Sequence, residues 1–205
     1  MKIINVEQRS DEWFDIRKGR MTASHAQAIG ANGKGLITYI NQICVEMYSK
    51  ADPVSYSNAA MERGIELEDS AAFLYPMEAG LPAEKVGFVI YNDYVGCSPD
   101  LLVGTDGMAE IKCPADPEFL RRLMGGEIKS EYIWQVQMQL LICERSWCDF
   151  VTFSPNFDKE LIIDRIYPDP KKFAKLKEGF EEGERLIREI QAKMDKILGY
   201  REVAA

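Results

Sequence analysis

The spacing of apolar residues switches along this chain between three- and four-residue steps and two-residue steps, so helices alternate with strands. Ser10 or Asp11 caps a short helix bearing Trp13, Phe14, Ile16 and Arg17, with Gly19 as its stop. Thr22 or Ser24 caps a second helix through Ala26, Ala28 and Ile29, and residues 30–35 read as a loop without the spacing of a P-loop. Residues 36–49 are helical, 53–57 interrupt the chain, and a longer helix runs from Asn58 to about Pro76. Residues 86–91 form an apolar strand that opens the sheet and leads into a hairpin. The hairpin arms are 100–103 and 108–113, around the turn formers Gly104, Thr105, Asp106 and Gly107. Helices follow at 116–124 and 130–143, then strands 147–154 and 160–167 joined by a turn. Asp169 caps a final long helix with Pro170 at its first position and Gly199 past its end. Its apolar stripe is Phe173, Leu176, Phe180, Ile187, Ile190, Met194 and Ile197. The class is α/β in a mixed α+β arrangement, a central mixed sheet flanked by helices.

The hairpin carries the chemistry. Its turn folds Asp100 back towards Glu110, and strand alternation sets Glu110 and Lys112 on one side with Ala109, Ile111 and Cys113 on the other. Two close carboxylates repel unless a cation lies between them, and all-oxygen ligands beside a lysine suit magnesium or manganese. The same residues would also serve an ordinary hairpin with a surface salt bridge. Elsewhere, Glu68 shares a helix face with Gly64, Ala72 and Tyr75 and is the acid of its helix that faces inward. Gln135 and Gln139 share a face of an otherwise apolar helix and need partners; one turned to the carboxylates could hold a water or a phosphate oxygen. Arg17 near the next helix start could meet an anion, or simply be a surface cation with Ser24 as a cap.

With 205 residues, 46% of them hydrophobic, the chain is expected to be one domain over 1–205. No apolar run approaches the roughly 18 residues of a membrane helix, and the opening MKIINVEQRSDEW lacks a signal-peptide core, so a cytoplasmic setting is expected. Five scattered cysteines without a C-x-x-C pair read as reduced core residues, too few and too dispersed for an iron–sulfur cluster. The formal charge of -8 speaks against a general nucleic-acid-binding surface, less so for an enzyme with an acidic metal site, a local basic patch or subunits that enclose their substrate. The single histidine, His25, excludes histidine-rich metal sites and makes histidine triads a poor fit.

Pro99-Asp100 followed by Glu110-Ile111-Lys112 resembles the motif of the PD-(D/E)xK nuclease superfamily. The likeness extends over most of the chain to the lambda exonuclease and YqaJ-like viral recombinase family. Trp13, then Ile16-Arg17-Lys18-Gly19 and Thr22-Ala23-Ser24, resembles the family's opening motif, and Arg63-Gly64 with Glu68 resembles its RGxxxE helix. Cys97-Ser98-Pro99-Asp100, Glu110-Ile111-Lys112-Cys113-Pro114 and Gln135-Val136-Gln137 follow in the family's order. Leu101 stands where the family commonly has glycine.

The resemblance implies a restriction-endonuclease-like core and a magnesium-dependent 5′-to-3′ exonuclease of double-stranded DNA that leaves 3′ overhangs for recombination by single-strand annealing. It implies that Asp100, Glu110 and the Ile111 backbone carbonyl hold one magnesium ion and Glu68 with Asp100 a second, manganese being a possible substitute. Lys112 would orient or deprotonate the water, and Gln135 would position it. Arg17, Ser24 and Ser98 would grip the 5′-phosphate, and Met61 could be part of an apolar wedge at the duplex end. Implied partners are DNA ends, a single-strand annealing protein and two further copies in a ring-shaped trimer. An endonuclease built on the same core, or a catalytically silent DNA-end binding module, remains the alternative.

Overall fold

Strand residues Gly107 to Ile111 are buried on both faces, which is the pattern of a strand at the centre of a sheet covered on both sides. A computed structural model describes residues 2–50 and 59–199, the side chains of 59–62 excepted. In chain order the elements are β1 (Lys2–Ile4), α1 (Asp11–Arg17), β2 (Met21–Thr22), a 3-10 turn (Ala23–His25), α2 (Ala26–Ala31), α3 (Lys34–Tyr48) and α4 (Ala59–Ala79). There follow β3 (Ala83–Lys85), β4 (Phe88–Asn92), β5 (Val95–Cys97), β6 (Leu101–Val103), β7 (Gly107–Lys112), α5 (Asp116–Leu123) and α6 (Ser130–Cys143). The chain closes with β8 (Trp147–Phe153), β9 (Leu161–Ile166) and α7 (Pro170–Leu198).

Among the described residues the strands form two sheets. The larger has the order β3-β6-β7-β8-β9, with β7 and β8 parallel and every other pairing antiparallel. Alternation along β7 and β8 sends Met108, Cys148 and Phe150 into a core shared with α2, α3, α6 and α7. Ala109, Ile111, Val151 and Phe153 pack on the opposite face against Ala71 and Tyr75 of α4. The smaller sheet, β1-β4-β5-β2, joins both chain ends of the α1–α2 region to the segment that leads to Asp100.

A hydrogen bond to a buried carboxylate fastens α4 to the larger sheet. Asp149 on β8 is 1% exposed. It accepts a hydrogen bond from the Tyr75 hydroxyl at 2.8 Å and two from Arg165 at 2.8 and 2.9 Å. The Arg165 guanidinium lies 3.7 Å from the centre of the Trp147 ring. Tyr75 sits two helical turns beyond Glu68, so this anchor also sets where Glu68 stands.

Several expectations are corrected here. Neither Thr22 nor Ser24 caps a helix through its side chain: Thr22 ends β2, and both hydroxyls are engaged within the 3-10 turn. The glycine-rich stretch 30–35 is mostly helical, α2 and α3 being joined through Asn32, in the left-handed region, and Gly33. The strand expected to open the main sheet belongs to the smaller one, as β4, and the edge strand β3 takes its place beside β6. The interruption at 53–57, Asn58 at the helix start and the Met61 side chain lie outside the described residues. The long helix passes through Pro76 to Ala79. On α7 the stripe is buried at Leu176, Phe180 and Ile187, whereas Ile197 is exposed, because the helix outruns the core it covers.

Helix α7 approaches α2 so closely that a side chain has no room at Gly179: an added Cβ would lie 2.1 Å from the Ile29 carbonyl oxygen. Glycine to alanine inside a helix ordinarily gains about 1 kcal/mol. Gly179→Ala is expected to reverse that sign and lower stability by about 1–3 kcal/mol, since the backbone of α2 has to move. Urea unfolding followed by circular dichroism measures it; a variant as stable as the parent would contradict the close packing.

Candidate active site

Strand β7 carries Glu110 and Lys112 on the face towards α6, at the carboxyl ends of the parallel strands, where open sheets with parallel strands usually form their clefts. Glu110 is 2% exposed. Its Oε1 accepts from Lys112 Nζ and Gln135 Nε2, both at 2.5 Å, and its Oε2 accepts from Gln139 Nε2 at 2.7 Å. The two glutamines stand four residues apart on α6, one turn of helix, so a single helix face clamps both carboxylate oxygens.

Asp100 lies just before β6, where the β6–β7 ladder runs out. The last pair is Leu101 with Ala109, so Ile111 has no strand partner on that side. Its N–H donates instead to Asp100 Oδ2 at 2.6 Å. In an antiparallel ladder a residue offers its N–H and C=O to the same neighbour, so the Ile111 carbonyl faces the gap that Asp100 fills. Burial, then the neighbouring Glu110 charge, pushes the Asp100 carboxyl well above the usual carboxylate range. Burial alone would lower the Lys112 ammonium, but Glu110 and Asp100 outweigh it and hold its pKa above the ordinary lysine value. Lys112 is therefore a fixed cation beside both acids, 5.4 Å from the centre of the Tyr132 ring.

A cleft of about 460 Å³ opens over Lys112 between α4, α5 and α6, lined among others by Arg9, Glu68, Arg122, Lys129 and Tyr132. A second of about 220 Å³ adjoins it and reaches Asp100, Lys85 and the 5–9 segment. Arg9 and Glu68 line both, joined by an ion pair of 2.5 Å. Glu68 thus shares the cleft with Asp100, but its carboxylate is turned to Arg9. Among the described residues no three acidic, histidine or cysteine side chains are gathered tightly enough to enclose an ion. By type the donors fit a hard divalent cation, being all oxygen with two carboxylates whose mutual repulsion raises the Asp100 pKa. Glu68 has to exchange Arg9 for the ion to join them. One more sign of an unfilled polar role is Gln139 Oε1, buried without a partner among the described residues.

The residues expected at a phosphate lie along a neighbouring surface. The Arg17 guanidinium lies 4.0 Å from the centre of the Trp13 ring, and Trp13 Nε1 donates to Ser98 Oγ at 2.9 Å and to the Gly87 carbonyl. Trp13 therefore links Arg17 to Ser98. Ser24 Oγ lies 3.3 Å from Thr22 Oγ1 and 3.2 Å from His25 Nδ1, with no direct bond to Ser98 or Arg17. Of the site-forming residues, Arg9 is the one that sequence reasoning did not name; Gln139 and Trp13 entered it without the contacts they make here. Gln139 was legible as the helical neighbour of Gln135, and Trp13 as that of Arg17, four positions away. Nothing in the sequence pairs Arg9 with Glu68 across 59 positions.

A family profile described as the YqaJ-like viral recombinase domain matches residues 12–146. Among solved structures, an alkaline exonuclease from Laribacter hongkongensis is 31% identical, with a TM-score of 0.79 over 92% of this chain and 100% of that one. The same enzyme in complex with dAMP gives 32% identity and a TM-score of 0.81 over the same shares. A phage related exonuclease from Haemophilus somnus 129PT, 15% identical over 85% of this chain and 96% of that one, shares the fold at a TM-score of 0.66. No match is found among curated proteins.

The Asp100 environment has a measurable consequence. An aspartate with a folded pKa above its unfolded value, near 3.9, leaves the fold most stable while it is protonated; that stability is lost as pH rises through the folded pKa. With a chelator present, Asp100→Asn is expected to raise the melting temperature at pH 8, roughly 2–4 °C for each kcal/mol relieved. The gain should vanish near pH 4. A scanning-calorimetry series with no gain at pH 8, or an equal gain at both pH values, would contradict it.

Proposed function

The chain belongs to the YqaJ-like viral recombinase family, and from that premise we propose that it is a metal-dependent deoxyribonuclease. In this reading it digests one strand of duplex DNA from its 5′ end and leaves a 3′ single-stranded overhang for phage-type recombination by single-strand annealing. The observation that carries the reading is the convergence of Asp100, Glu110 and Lys112 beside two adjoining clefts, Lys112 lining one and Asp100 the other, with the buried Glu110 clamped by Gln135 and Gln139.

Asp100, Glu110 and the Ile111 carbonyl would hold one magnesium or manganese ion, and Glu68 with Asp100 a second. Bound there, such ions supply a more acidic water and neutralise charge at the phosphate oxygens. The protein's own side chains do the rest. Lys112 keeps its proton between two carboxylates and serves as a cation that orients the attacking water against the phosphate. This favours orientation over deprotonation for Lys112. Gln135 and Gln139 fix the Glu110 carboxylate, and Gln135 would also position the water.

Direction follows from the link between the two regions. Ser98, joined through Trp13 to Arg17, precedes Asp100 by two residues, so the Cα atoms of Ser98 and Asp100 are at most about 7 Å apart. A 5′-phosphate held by Arg17, Ser24 and Ser98 would bring the next phosphodiester to Asp100. The same reading includes a ring of three subunits around the DNA, which would keep a chain of charge -8 on a polyanion. It also includes an annealing protein that takes up the overhang, and a cytoplasmic setting in a phage-bearing host.

The test is digestion of end-labelled linear duplex, with a closed circle beside it, in magnesium and with magnesium chelated. Magnesium-dependent release of nucleotides from linear ends, faster with 5′-phosphate than with 5′-hydroxyl, is the expected result. Arg17→Ala should lose most of the preference for phosphorylated ends, and Asp100→Ala nearly all hydrolysis. Cutting of the circle, or hydrolysis by Asp100→Ala at the parent rate, would overturn the reading.

A further inference from the structure

The chain's one histidine stands in the phosphate region with no role so far. His25 closes the 3-10 turn, exposed to solvent, and its ring lies flat on Tyr39, with centroids 3.8 Å apart and planes 9° from parallel. Its Nδ1 lies 3.2 Å from Ser24 Oγ. The stacking partner is itself fixed: the buried Tyr39 hydroxyl accepts the Thr22 N–H at 2.9 Å and lies 3.2 Å from Thr22 Oγ1. The imidazole is thus held on two sides while its Nε2 has no partner among the described residues. An exposed ring held this way is not serving as core packing.

The charged and titratable groups on neighbouring elements are Asp11, Glu12, Asp15 and Arg17 on α1, Lys34, Tyr39, Cys44, Glu46 and Tyr48 on α3, Cys97 on β5, and Glu131, Tyr132 and Cys143 on α6. Of these, Arg17 is the one that acts on His25: partial burial of the ring and then the Arg17 charge lower the imidazole pKa below its ordinary value. Arg17, stacked on Trp13 and through it tied to Ser98, also acts on Tyr39, the ring on which His25 lies. In the ligand-free protein at neutral pH the imidazole is neutral, and a dianion placed beside it and Arg17 would reverse the balance.

Resting on the phosphate-grip reading above, we propose that His25 is a specificity-determining residue. It takes up one proton from solvent when a 5′-terminal phosphate monoester enters, and as imidazolium it adds a second cation beside Arg17. A terminal monoester has a second ionisation near pH 6 and is a dianion above it, so two cations meet two charges. A 5′-hydroxyl brings no such charge, and an internal phosphodiester only one.

A single histidine gives a single imidazole Cε1–H resonance, so its titration is read directly by proton NMR without any variant. The measurement follows that resonance from pH 5 to 8 with a chelator present: in the protein alone, with blunt duplex bearing 5′-phosphate, and with the same duplex bearing 5′-hydroxyl. The pKa is expected to rise by about one unit, tenfold in proton affinity, with the phosphorylated end and to stay put with the hydroxyl end. His25→Gln should keep the part of the preference due to Arg17 but lose its increase as pH falls from 8 to 6. If phosphorylated ends bind better and Arg17→Ala removes that preference, yet the His25 pKa is the same with either end, the grip stands and the role of His25 is overturned. If the parent binds both ends equally, the grip itself fails and the proposal with it.

Discussion

The arrangement turns on a carboxylate kept out of water. Burying an ionised carboxylate costs several kcal/mol unless charge and hydrogen bonds are supplied to it. Glu110 receives both, an ammonium from its own strand and two amides from α6. These bonds dictate much else. They require Gln135 and Gln139 one turn apart on a helix laid along β7, and they require Lys112 on the same face as Glu110. They also leave Asp100 as the acid that has to cover the unpaired Ile111 N–H at the end of the ladder. On the other face, the Tyr75–Asp149–Arg165 group holds α4, and with it Glu68, at the rim of the same cleft.

The charge of the whole chain and the charge of the cleft point in opposite directions. Over Lys112 the walls carry Arg9, Arg122 and Lys129 against Glu68 and Glu118. The acid excess is concentrated in the sequence of α4, where Glu62, Glu66, Glu68, Asp69 and Glu78 stand against Arg63 alone, whereas α7 balances its own acids, Arg185 pairing with Glu182 and Glu189, and Arg188 with Glu184. Screening confines such exposed pairs to local effects. A phosphate approaching the cleft therefore meets a more basic surface than the formal charge suggests.

Much of this was legible in the sequence because it is local. The β6–β7 hairpin follows from its turn formers and alternation, and α7 from its cap, first-position proline and terminal glycine. Asp100, Glu110 and Lys112 come together as that local pattern implies, and both Gln135 and Gln139 reach them from α6. What the sequence hid is non-local or very short. The two-residue β2 and three-residue β3 carry too few positions to show a period, and the smaller sheet depends on pairing across some 85 residues. Arg9 holding Glu68 was equally invisible, since an ion pair between distant loop and helix leaves no spacing to read.

The central claim is that Asp100 and Glu110 are tolerated side by side because they form a site for a divalent cation. Calorimetric titration of manganese into the parent protein and into Asp100→Ala, without DNA, tests it most directly. The account requires saturable binding by the parent that the variant loses, with Glu110→Gln weakened in the same way. Equal binding by parent and Asp100→Ala, or no binding by the parent, would contradict it.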